Sequence, residues 1–416
     1  MPEDARALVA AGKYVEAEAA LRFAIANAPG QAGAFDTLGV CLFYQGRLAE
    51  SVAAYRAALA IDPKRASIWY NLGISLSDRG RTVEAVEAYR TALSINPTDE
   101  SAKYNLSRAL LLLGEWREGF QLYEARGRKA APLYTNLDFD RWRGEPPGRY
   151  VLLLSTEQGI GDAIQFARYA SALKRMGYEV LLLTDAKLVE LLKQVADIGR
   201  VVAGSGIKIE GAPVKWSPLM SVPAVVGTTP DKNIPAAPYL NPSPARVAQW
   251  AERIGPSGFK VGLVWQGNTA HARDHWRSIP LAALEPLTAV PGVRLISLQK
   301  QPGHEQIADV AFRERIEVVA DATDTGADAL LDAAAIVANL DLVITVDTMA
   351  AHLAGAIGRP VWLALDTVPD WRWLLGRADT PWYPTMRLFR QGTAGDWPPV
   401  VQELTEALRG AVSRAL

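Results

Sequence analysis

The sequence is poor in cysteine, since Cys41 is the only one among 416 residues. A lone cysteine cannot form a disulfide within the chain, so nothing in the sequence requires an oxidising compartment. An excess of charge of either sign is missing too, because 44 Lys and Arg residues nearly cancel 45 Asp and Glu residues. This balance argues against a broad electrostatic surface for nucleic acid, and we predict no nucleic-acid partner.

Long apolar runs are also absent. No stretch approaches the roughly 18 apolar residues of a membrane-spanning helix, and the opening MPEDARALVAAG lacks the basic and apolar segments of a signal peptide. We therefore predict a cytoplasmic protein that is not integral to a membrane. The composition, 49% hydrophobic and 21% charged, is that of a globular chain, and its length predicts roughly two to four domains.

A repeat of 34 residues occupies the first 130 positions. Its markers are glycines and prolines in constant register: Gly12, Gly46, Gly80 and Gly114, and Pro29, Pro63 and Pro97. Small and large residues recur in step between them, as two antiparallel helices require when they pack within one repeat and on the next. Trp69, Leu72 and Gly73 open the copy that best matches the tetratricopeptide pattern. We predict an all-α tetratricopeptide solenoid over residues 1–130.

A tetratricopeptide stack has a concave groove whose usual ligand is an extended peptide. Asn71 and Asn105 occupy equivalent positions of two repeats, where side-chain amides are able to bond a peptide backbone without reading its sequence. We predict that they bind peptide. The alternative is that asparagine is simply frequent at this position, and that the short groove only docks a partner.

The pattern changes after the repeats. Residues 131–149 mix Pro, Gly and charge with Leu137, Phe139 and Trp142, which predicts an ordered linker because these side chains are costly to leave in water. From residue 150 short apolar strands alternate with helices, which indicates parallel sheets with crossover helices. A proline-rich stretch, 228–244, predicts a hinge between an N-terminal Rossmann-like domain at 150–240 and a C-terminal one at 241–398, followed by a helix at 399–416.

We predict strands at 150–154, 179–184, 200–203, 260–265, 293–298, 316–319, 342–345 and 361–364. The helices are predicted at 163–176, 187–195, 245–254, 281–287, 329–338, 349–357 and 400–416. Two such halves form a cleft, and ligands bind where the parallel strands end.

The sharpest motif is ITVDTMAAHLAGAIGRPVW at 344–362. A strand ends at Asp347 and Thr348, and the following helix presents unpaired first-turn amides to an anion, with His352 one turn further on. We predict a phosphate site here. The alternative is a core helix that Thr348 merely caps.

A second polar loop follows another strand, in GLVWQGNTAHARDHWRSIP at 262–280. Asn268, Arg273, Arg277 and Ser278 form a predicted cradle for a diphosphate, because arginine supplies fixed bidentate donors. Gln299 and Lys300 end a neighbouring strand at the same edge. His271 and His275 lie on a loop without a carboxylate pair, so we predict no metal.

Two further segments carry open questions. The loop STEQGIGDAIQF at 155–166 resembles the dinucleotide-binding fingerprint G-x-G-x-x-G, but the position of its third glycine is Ile164. Asp162 also adds a negative charge to the first helical turn, so the loop is a poor phosphate site. The aromatic residues at 370–384 are able to stack on a base or to close the cleft, but we favour a structural role.

From residue 150 onward the chain resembles the heptosyltransferase-type family of GT-B glycosyltransferases. The motifs that carry the likeness are G-I-G-D at 159–162 and V-D-T-M-A-A-H-L-A-G-A at 346–356. The resemblance implies two Rossmann-like domains facing a cleft, no essential metal or other cofactor, and Asp162 as general base. It further implies an acceptor-side loop with Gly159, Gly161 and Gln165, and a nucleotide-diphosphate site with Asp347, Thr348, Met349 and His352. Where the family has K-x-W-P, this chain reads R-S-I-P, so Arg277 takes the place of the lysine and the sugar is left open.

The fused repeats are similar in plan to O-GlcNAc transferase and to repeat-containing bacterial flagellin glycosyltransferases, which implies a protein acceptor. The sequence thus predicts a metal-independent glycosyltransferase that uses a nucleotide sugar and a hydroxyl of a recruited protein. The alternatives are a non-catalytic adaptor, a heptosyltransferase-like enzyme of surface-glycan synthesis, and an epimerase. A helix N-terminus lowers the pKa of a carboxylate, so we expect an ionised Asp162, with partial burial acting in the opposite direction.

Overall fold

A computed structural model describes residues 3–127, 139–204, 209, 211–271, 273–321, 323–324 and 326–415. The chain divides into two compact units, Met1–Gly127 and Arg128–Leu416. Of the predicted linker, Leu137 lies outside the described residues.

The first unit is helical throughout its regular structure. Its helices are α1 (Glu3–Ala10), α2 (Tyr14–Asn27), α3 (Ala32–Tyr44), α4 (Leu48–Ile61), α5 (Ala66–Asp78), α6 (Thr82–Ile95), α7 (Glu100–Leu113) and α8 (Trp116–Leu122). The repeated glycines Gly12, Gly46, Gly80 and Gly114 adopt φ angles between +73° and +88°. This is the left-handed region, which a residue without Cβ enters at little cost. The period of 34 therefore marks the turn that joins the two helices of each repeat.

Close packing within the repeats explains a second set of glycines. A Cβ atom at Gly39 would lie 2.6 Å from Cε1 of Tyr55, and one at Gly73 would lie 2.5 Å from Cε1 of Tyr89. Both tyrosine rings are buried. The outer helices of successive repeats also carry one ion pair in register, in Arg22–Glu50, Arg56–Glu84 and Arg90–Glu118, but such exposed pairs contribute little to stability. The stack is held by its apolar core.

The first sheet of the second unit is parallel. Its strands are β1 (Asp140–Arg141), β2 (Val151–Ser155), β3 (Glu179–Thr184), β4 (Arg200–Ala203) and β5 (Val214–Pro218), in the order β1-β5-β2-β3-β4. The accompanying helices are α9 (Ile160–Arg175), α10 (Val189–Leu192) and α11 (Val222–Val226). Strands β1 and β5 were not predicted. The edge strand β1 is only two residues long, and in β5, which lies beside it, half-exposed residues such as Lys215 interrupt the apolar pattern. The helix predicted at 187–195 is shorter than expected and spans Val189–Leu192.

The second sheet is larger and also parallel. Its strands are β6 (Phe259–Val264), β7 (Val293–Ser297), β8 (Ile316–Glu317), β9 (Leu342–Val346), β10 (Val361–Leu365) and β11 (Met386–Arg390), in the order β11-β10-β9-β6-β7-β8. The helices are α12 (Pro244–Ile254), α13 (Asp274–Arg277), α14 (Gln306–Asp309), α15 (Ala327–Ala338), α16 (Met349–Ile357) and α17 (Pro398–Ala415). Strand β11 was not predicted. The helix predicted at 281–287 is present as a 3-10 helix, Leu281–Ala289, which contains Pro286, a residue with no amide hydrogen to donate.

Each sheet has one point at which the strand order reverses. In the second sheet β7 and β8 lie on one side of β6, while β9, β10 and β11 lie on the other. Loops that leave the two central strands in opposite directions open a crevice at their carboxyl ends. The first sheet reverses in the same way between β2 and β5, where Glu157 accepts a hydrogen bond from the amide of Met220 at 3.2 Å. The predicted fold class, tetratricopeptide helices followed by two Rossmann-like sheets, is confirmed.

The two halves of the second unit are in contact through buried side chains. Arg168 of α9 donates from Nη1 to the carbonyl of Trp382 at 2.7 Å and from Nη2 to the hydroxyl of Tyr239 at 3.2 Å. The amides of Tyr239 and Leu240 both donate to the carbonyl of Ala356. The predicted hinge region is thus docked against α16. The aromatic residues Trp371, Trp373, Trp382 and Tyr383 are buried, as a structural role requires.

Candidate active site

The predicted phosphate loop lies at the reversal point of the second sheet. Strand β9 ends at Val346, Thr348 occupies the N-cap position, and α16 begins at Met349. The Thr348 hydroxyl accepts from the amide of Ala350 at 3.3 Å and lies 3.1 Å from the hydroxyl of Thr345. Thr348 therefore caps its own helix, as the alternative interpretation expected. The other amides of the first turn still point along the helix axis, as they must in any α-helix.

The loop after β6 crosses to the same point. Arg277 donates from Nη1 to the carbonyl of Asp347 at 2.9 Å and from Nε to Oδ1 of Asp274 at 3.1 Å. The amide of Gly267 donates to the Ser278 hydroxyl at 3.2 Å. A Cβ atom at Gly267 would lie 2.3 Å from Nη2 of Arg277, so the guanidinium reaches Asp347 only because this position is glycine.

The remaining predicted donor residues have internal tasks. The Asn268 side chain accepts from the amide of Ala270 at 3.0 Å and shapes its own loop. Gln299 is buried, accepts from the amides of Trp265 and Gln266, both at 3.0 Å, and donates to nearby carbonyls. Lys300 donates to the carbonyl of Asp321. The structure thus places Gln299 as a brace beneath the loop after β6.

A cavity of about 460 Å³ adjoins this loop. It is lined by Gln266, Thr269, His271, Asp274, His275, Ser278, Ile279, Pro280 and Gln306. Of the predicted cradle residues only Ser278 is in its wall. Within the residues that the structure describes, no three His, Cys, Asp or Glu side chains are gathered as ligands for a metal ion.

Asp162 is held from both halves of the second unit. It lies in the first turn of α9, where Oδ2 accepts from the amide of Gly159 at 2.8 Å, and Oδ1 accepts from Nη2 of Arg372. Arg372 also donates from Nε to Oε1 of Gln165 at 2.7 Å and from Nη1 to Oδ1 of Asp370 at 2.7 Å. Asp162 and Gln165, the predicted acceptor-side residues, are therefore tied to the second half by one guanidinium.

The beginnings of α9 and α16 meet at Gly161. A Cβ atom there would lie 2.9 Å from Cδ2 of His352 and 3.6 Å from Cα of Met349. His352 is buried, with Nδ1 3.0 Å from the Tyr383 hydroxyl and its ring stacked on Trp373 at 5.3 Å. The two motifs that carry the family resemblance are thus in direct contact.

Burial controls the electrostatics of this contact. Desolvation raises the pKa of Asp162, and the opposing charge of Arg372 does not fully compensate. Desolvation, with Asp370 nearby, also raises the pKa of Asp347 to about 7. Desolvation and then Arg372 lower the pKa of His352 to about 3. Of the two effects weighed at Asp162, burial thus outweighs the helix N-terminus, and His352 is a neutral hydrogen-bonding group near pH 7.

Sequence reasoning missed Arg372 and Asp370. Both lie in the short segment DWRW at 370–373 between β10 and β11, where Asp370 caps a 3-10 helix formed by Trp371–Trp373. The signal that was available is an arginine flanked by two tryptophans, because a charged residue in such a setting is buried only when it has partners.

The predicted peptide-binding asparagines face the preceding repeat. Nδ2 of Asn71 donates to Oδ1 of Asp36 at 3.4 Å, and Nδ2 of Asn105 donates to the Tyr70 hydroxyl at 3.1 Å. Burial raises the pKa of Asp36. The two amides are thus equivalent in the stack, and each links the first helix of its own repeat to the first helix of the preceding repeat.

Comparison with known proteins identifies the N-terminal region. Residues 4–66, 42–100 and 70–132 match the tetratricopeptide repeat family, so this part of the chain consists of tetratricopeptide repeats. Among solved structures, MamA is 22% identical, with 29% of this chain and 71% of MamA covered at a TM-score of 0.29. In the part of the chain that the structure describes, no helix is both long and apolar enough to cross a membrane.

Two further similarities extend beyond the repeats. Protein FlbA of Caulobacter vibrioides is 32% identical over 328 residues, which cover 72% of this chain and 53% of FlbA. The chain thus spans about half the length of this curated relative. E. coli ADP-heptose lps heptosyltransferase II is 13% identical and covers 64% of this chain and 99% of its own, at a TM-score of 0.45.

Proposed function

We propose that the second unit transfers a sugar from a nucleoside-diphosphate sugar to an acceptor hydroxyl, and that the tetratricopeptide repeats recruit a protein acceptor. The observation that carries the proposal is the contact between Gly161 and His352. It brings the loop that carries Asp162 in one half next to the start of α16 in the other, which we propose binds the anionic diphosphate. Sugar transfer needs these two elements side by side, one for the acceptor and one for the leaving group.

The donor diphosphate would occupy the reversal point of the second sheet. The first turn of α16 and the guanidinium of Arg277 supply positive potential there, and Thr348 and Ser278 add hydroxyl donors. This set stabilises negative charge with the chain's own groups, so the proposal includes no metal. The neutral His352 would donate a hydrogen bond rather than a charge.

The acceptor would approach along the loop at 156–162. Its hydroxyl oxygen forms a bond to the anomeric carbon of the sugar while the bond from that carbon to the phosphate oxygen breaks. The electron pair leaves with the nucleoside diphosphate, and the proton passes to Asp162. Gly159 and Gly161 bring the backbone close enough to place the carboxylate. Asp162 has a side chain only 19% exposed, which keeps competing water away from the base.

The test is a panel of nucleotide sugars (UDP-glucose, ADP-glucose, GDP-mannose and dTDP-rhamnose) with the full-length protein. We expect one of them to bind and to be consumed. Asp162→Asn should leave the affinity for that donor unchanged and lower turnover at least about a hundredfold, the scale of a lost general base.

Asp185→Asn is the matched control. Asp185 also begins a helical turn after a strand of the same sheet, where it accepts from the amide of Lys187 at 3.0 Å. Unchanged turnover in Asp162→Asn would remove the base assignment. Failure of the wild type to bind any nucleotide would favour the adaptor hypothesis, in which the repeats alone act.

A further inference from the structure

We propose that Arg372 is a positioning residue of this site, whose guanidinium fixes Asp162 and Gln165 of α9 against the second half of the unit. The inference rests on the proposed function, because Asp162 is its base. Arg372 itself need not touch the sugar or the nucleotide.

The first argument is the division of its hydrogen bonds. Each of the three guanidinium nitrogens donates to a different side chain: Nε to Gln165, Nη1 to Asp370 and Nη2 to Asp162. Two of these acceptors belong to α9, more than 200 positions earlier in the chain. The planar fork of arginine defines all three directions at once, which a lysine ammonium cannot do.

The second argument is the spacing of the two acceptors on α9. Asp162 and Gln165 are three residues apart and therefore lie on the same helix face. Their separation matches two nitrogens of one guanidinium. The same arginine thus determines the rotation of α9 about its axis and the direction of the Asp162 carboxylate.

The third argument concerns the amide of Gln165. Arginine has no acceptor atom, so Oε1 of Gln165 must face Arg372, and the orientation of the amide is not ambiguous. Nε2 is then directed elsewhere, and it is buried without a hydrogen-bond partner. Gln165 is fully buried. Burying an unpaired donor is unfavourable, and groups of this kind in native proteins call for a role beyond stability.

The setting makes the bridge rigid. Arg372 is 6% exposed, and its guanidinium lies 4.3 Å from the ring centre of Trp371 and 5.8 Å from that of Phe166. The charged groups that act on Asp162 are Arg372, which favours its ionised form, and Asp370, which opposes it. A buried guanidinium with two carboxylates has no freedom to exchange partners with water.

The test compares Arg372→Met with Arg168→Met in the full-length protein. Arg168 is the matched control because it is also buried, also links α9 to the second half, and donates to Trp382 and Tyr239 rather than to Asp162. Three quantities are measured: the melting temperature, the kinetics with the panel donor that the wild type consumes fastest, and the ionisation of Asp162 by ¹³C NMR of labelled aspartate carboxyls, assigned with Asp162→Asn.

If Arg372 positions the base, Arg372→Met raises the pKa of Asp162 and lowers kcat about a hundredfold, while KM for the donor changes less than about threefold. Added guanidinium ion restores part of kcat. Arg372→Lys retains the charge but not the three directions, and it should recover the pKa of Asp162 more than it recovers kcat. Arg168→Met lowers the melting temperature and leaves the Asp162 titration as in the wild type.

Several outcomes would overturn the inference or separate it from the proposed function. If Arg372→Met changes neither the titration of Asp162 nor kcat in a protein that does transfer sugar, then Arg372 has only a structural role, and the proposed function is unaffected. An Asp162 pKa that rises in a protein that consumes no nucleotide sugar would support the bridge and remove the function. If Arg372→Met does not fold, Gln165→Met tests the same bridge, since it removes one acceptor and leaves the cation in place.

Discussion

Gly161 and His352 lie so close that a Cβ atom at Gly161 would be 2.9 Å from Cδ2 of His352. Because His352 is stacked on Trp373 and bonded to Tyr383, it cannot turn away to make room. The separation between the proposed acceptor-side loop and the proposed donor helix is therefore set by the absence of a Cβ atom at Gly161.

Gly161→Ala should displace the start of α9 from α16. Alanine is the better helix former, so local propensity favours the variant and any loss must come from the contact. We expect turnover to fall at least about tenfold with little change in nucleotide affinity, since displacement near the reacting groups penalises chemistry first. The steric control is Gly392→Ala, where an added Cβ meets no atom within 4 Å. Wild-type turnover in Gly161→Ala would mean that the two helix starts need not touch.

Gly267→Ala should act on the donor side. The new Cβ would lie 2.3 Å from Nη2 of Arg277 and 2.5 Å from Oδ1 of Asp274. The tip of the arginine is flexible, but the buried Asp274 must shift as well, so we expect the free energy of unfolding to fall by about 1–3 kcal/mol. The displacement of Arg277 also breaks the hydrogen bond to Asp347 that spans the crevice. We expect the dissociation constant of the nucleoside diphosphate, measured by calorimetry, to rise about tenfold. An unchanged constant would remove Arg277 from the donor site.

Asp347→Asn should stabilise the protein in a pH-dependent way. Burial, and then Asp370, raise the pKa of Asp347 from 3.8 to about 7 in the folded state. Between these values the unfolded chain releases the proton that the folded chain keeps, so this carboxyl lowers stability as pH rises toward 7 and continues to do so above it. Asparagine does not titrate. The gain in melting temperature should thus be small at pH 4 and largest at pH 8.

Asp379→Asn provides the contrast for that experiment. The ion pair with Arg377 lowers the pKa of Asp379, so its carboxylate favours the folded state above its unfolded pKa, and this contribution is lost as pH falls through the folded value. The variant Asp379→Asn should therefore show no gain in melting temperature at pH 8. A gain for Asp347→Asn that does not grow with pH would contradict the raised pKa of Asp347.

Gly73→Ala should destabilise the repeats. The added Cβ would lie 2.5 Å from Cε1 of Tyr89, whose ring is buried between helices and has no space into which it can move. We expect a loss of about 1–3 kcal/mol in the free energy of unfolding of residues 1–127, read from hydrogen exchange of α5 and α6. Gly30→Ala, with no atom within 4 Å of its Cβ, is the control. Equal protection in the two variants would show that the close approach is not required.

The repeats were predictable in detail because their signals are local. A left-handed turn favours glycine wherever it occurs. The turns are therefore predicted without knowledge of the packing, at Gly12, Gly46, Gly80 and Gly114. Strand β3 was equally clear, since its residues from Val180 to Leu183 are apolar and buried. Strand β5 was not, because a strand beside the edge of a sheet leaves part of its side chains in water.

The candidate site was likewise predictable only where its signals are local. The motifs at 159–162 and 346–356 are short and sequential, and the start of α16 at Met349 follows from them directly. Gln299 also lies at the predicted edge, yet the structure employs its amide to brace the loop after β6. A position at the end of a strand fixes the edge of the sheet at which a polar side chain lies, but the neighbouring residues decide what that side chain binds.

What the sequence determined by itself is therefore the order of the elements and the two loops that meet at the site, because backbone conformation and apolar periodicity are properties of nearby residues. What only the tertiary structure decided is the partnership of those loops. Arg372 joins Asp162 across 210 positions of sequence, and burial rather than the helix dipole governs the pKa of that carboxyl. Desolvation and long-range contacts depend on the packed surroundings of a group, which no local pattern of residues records.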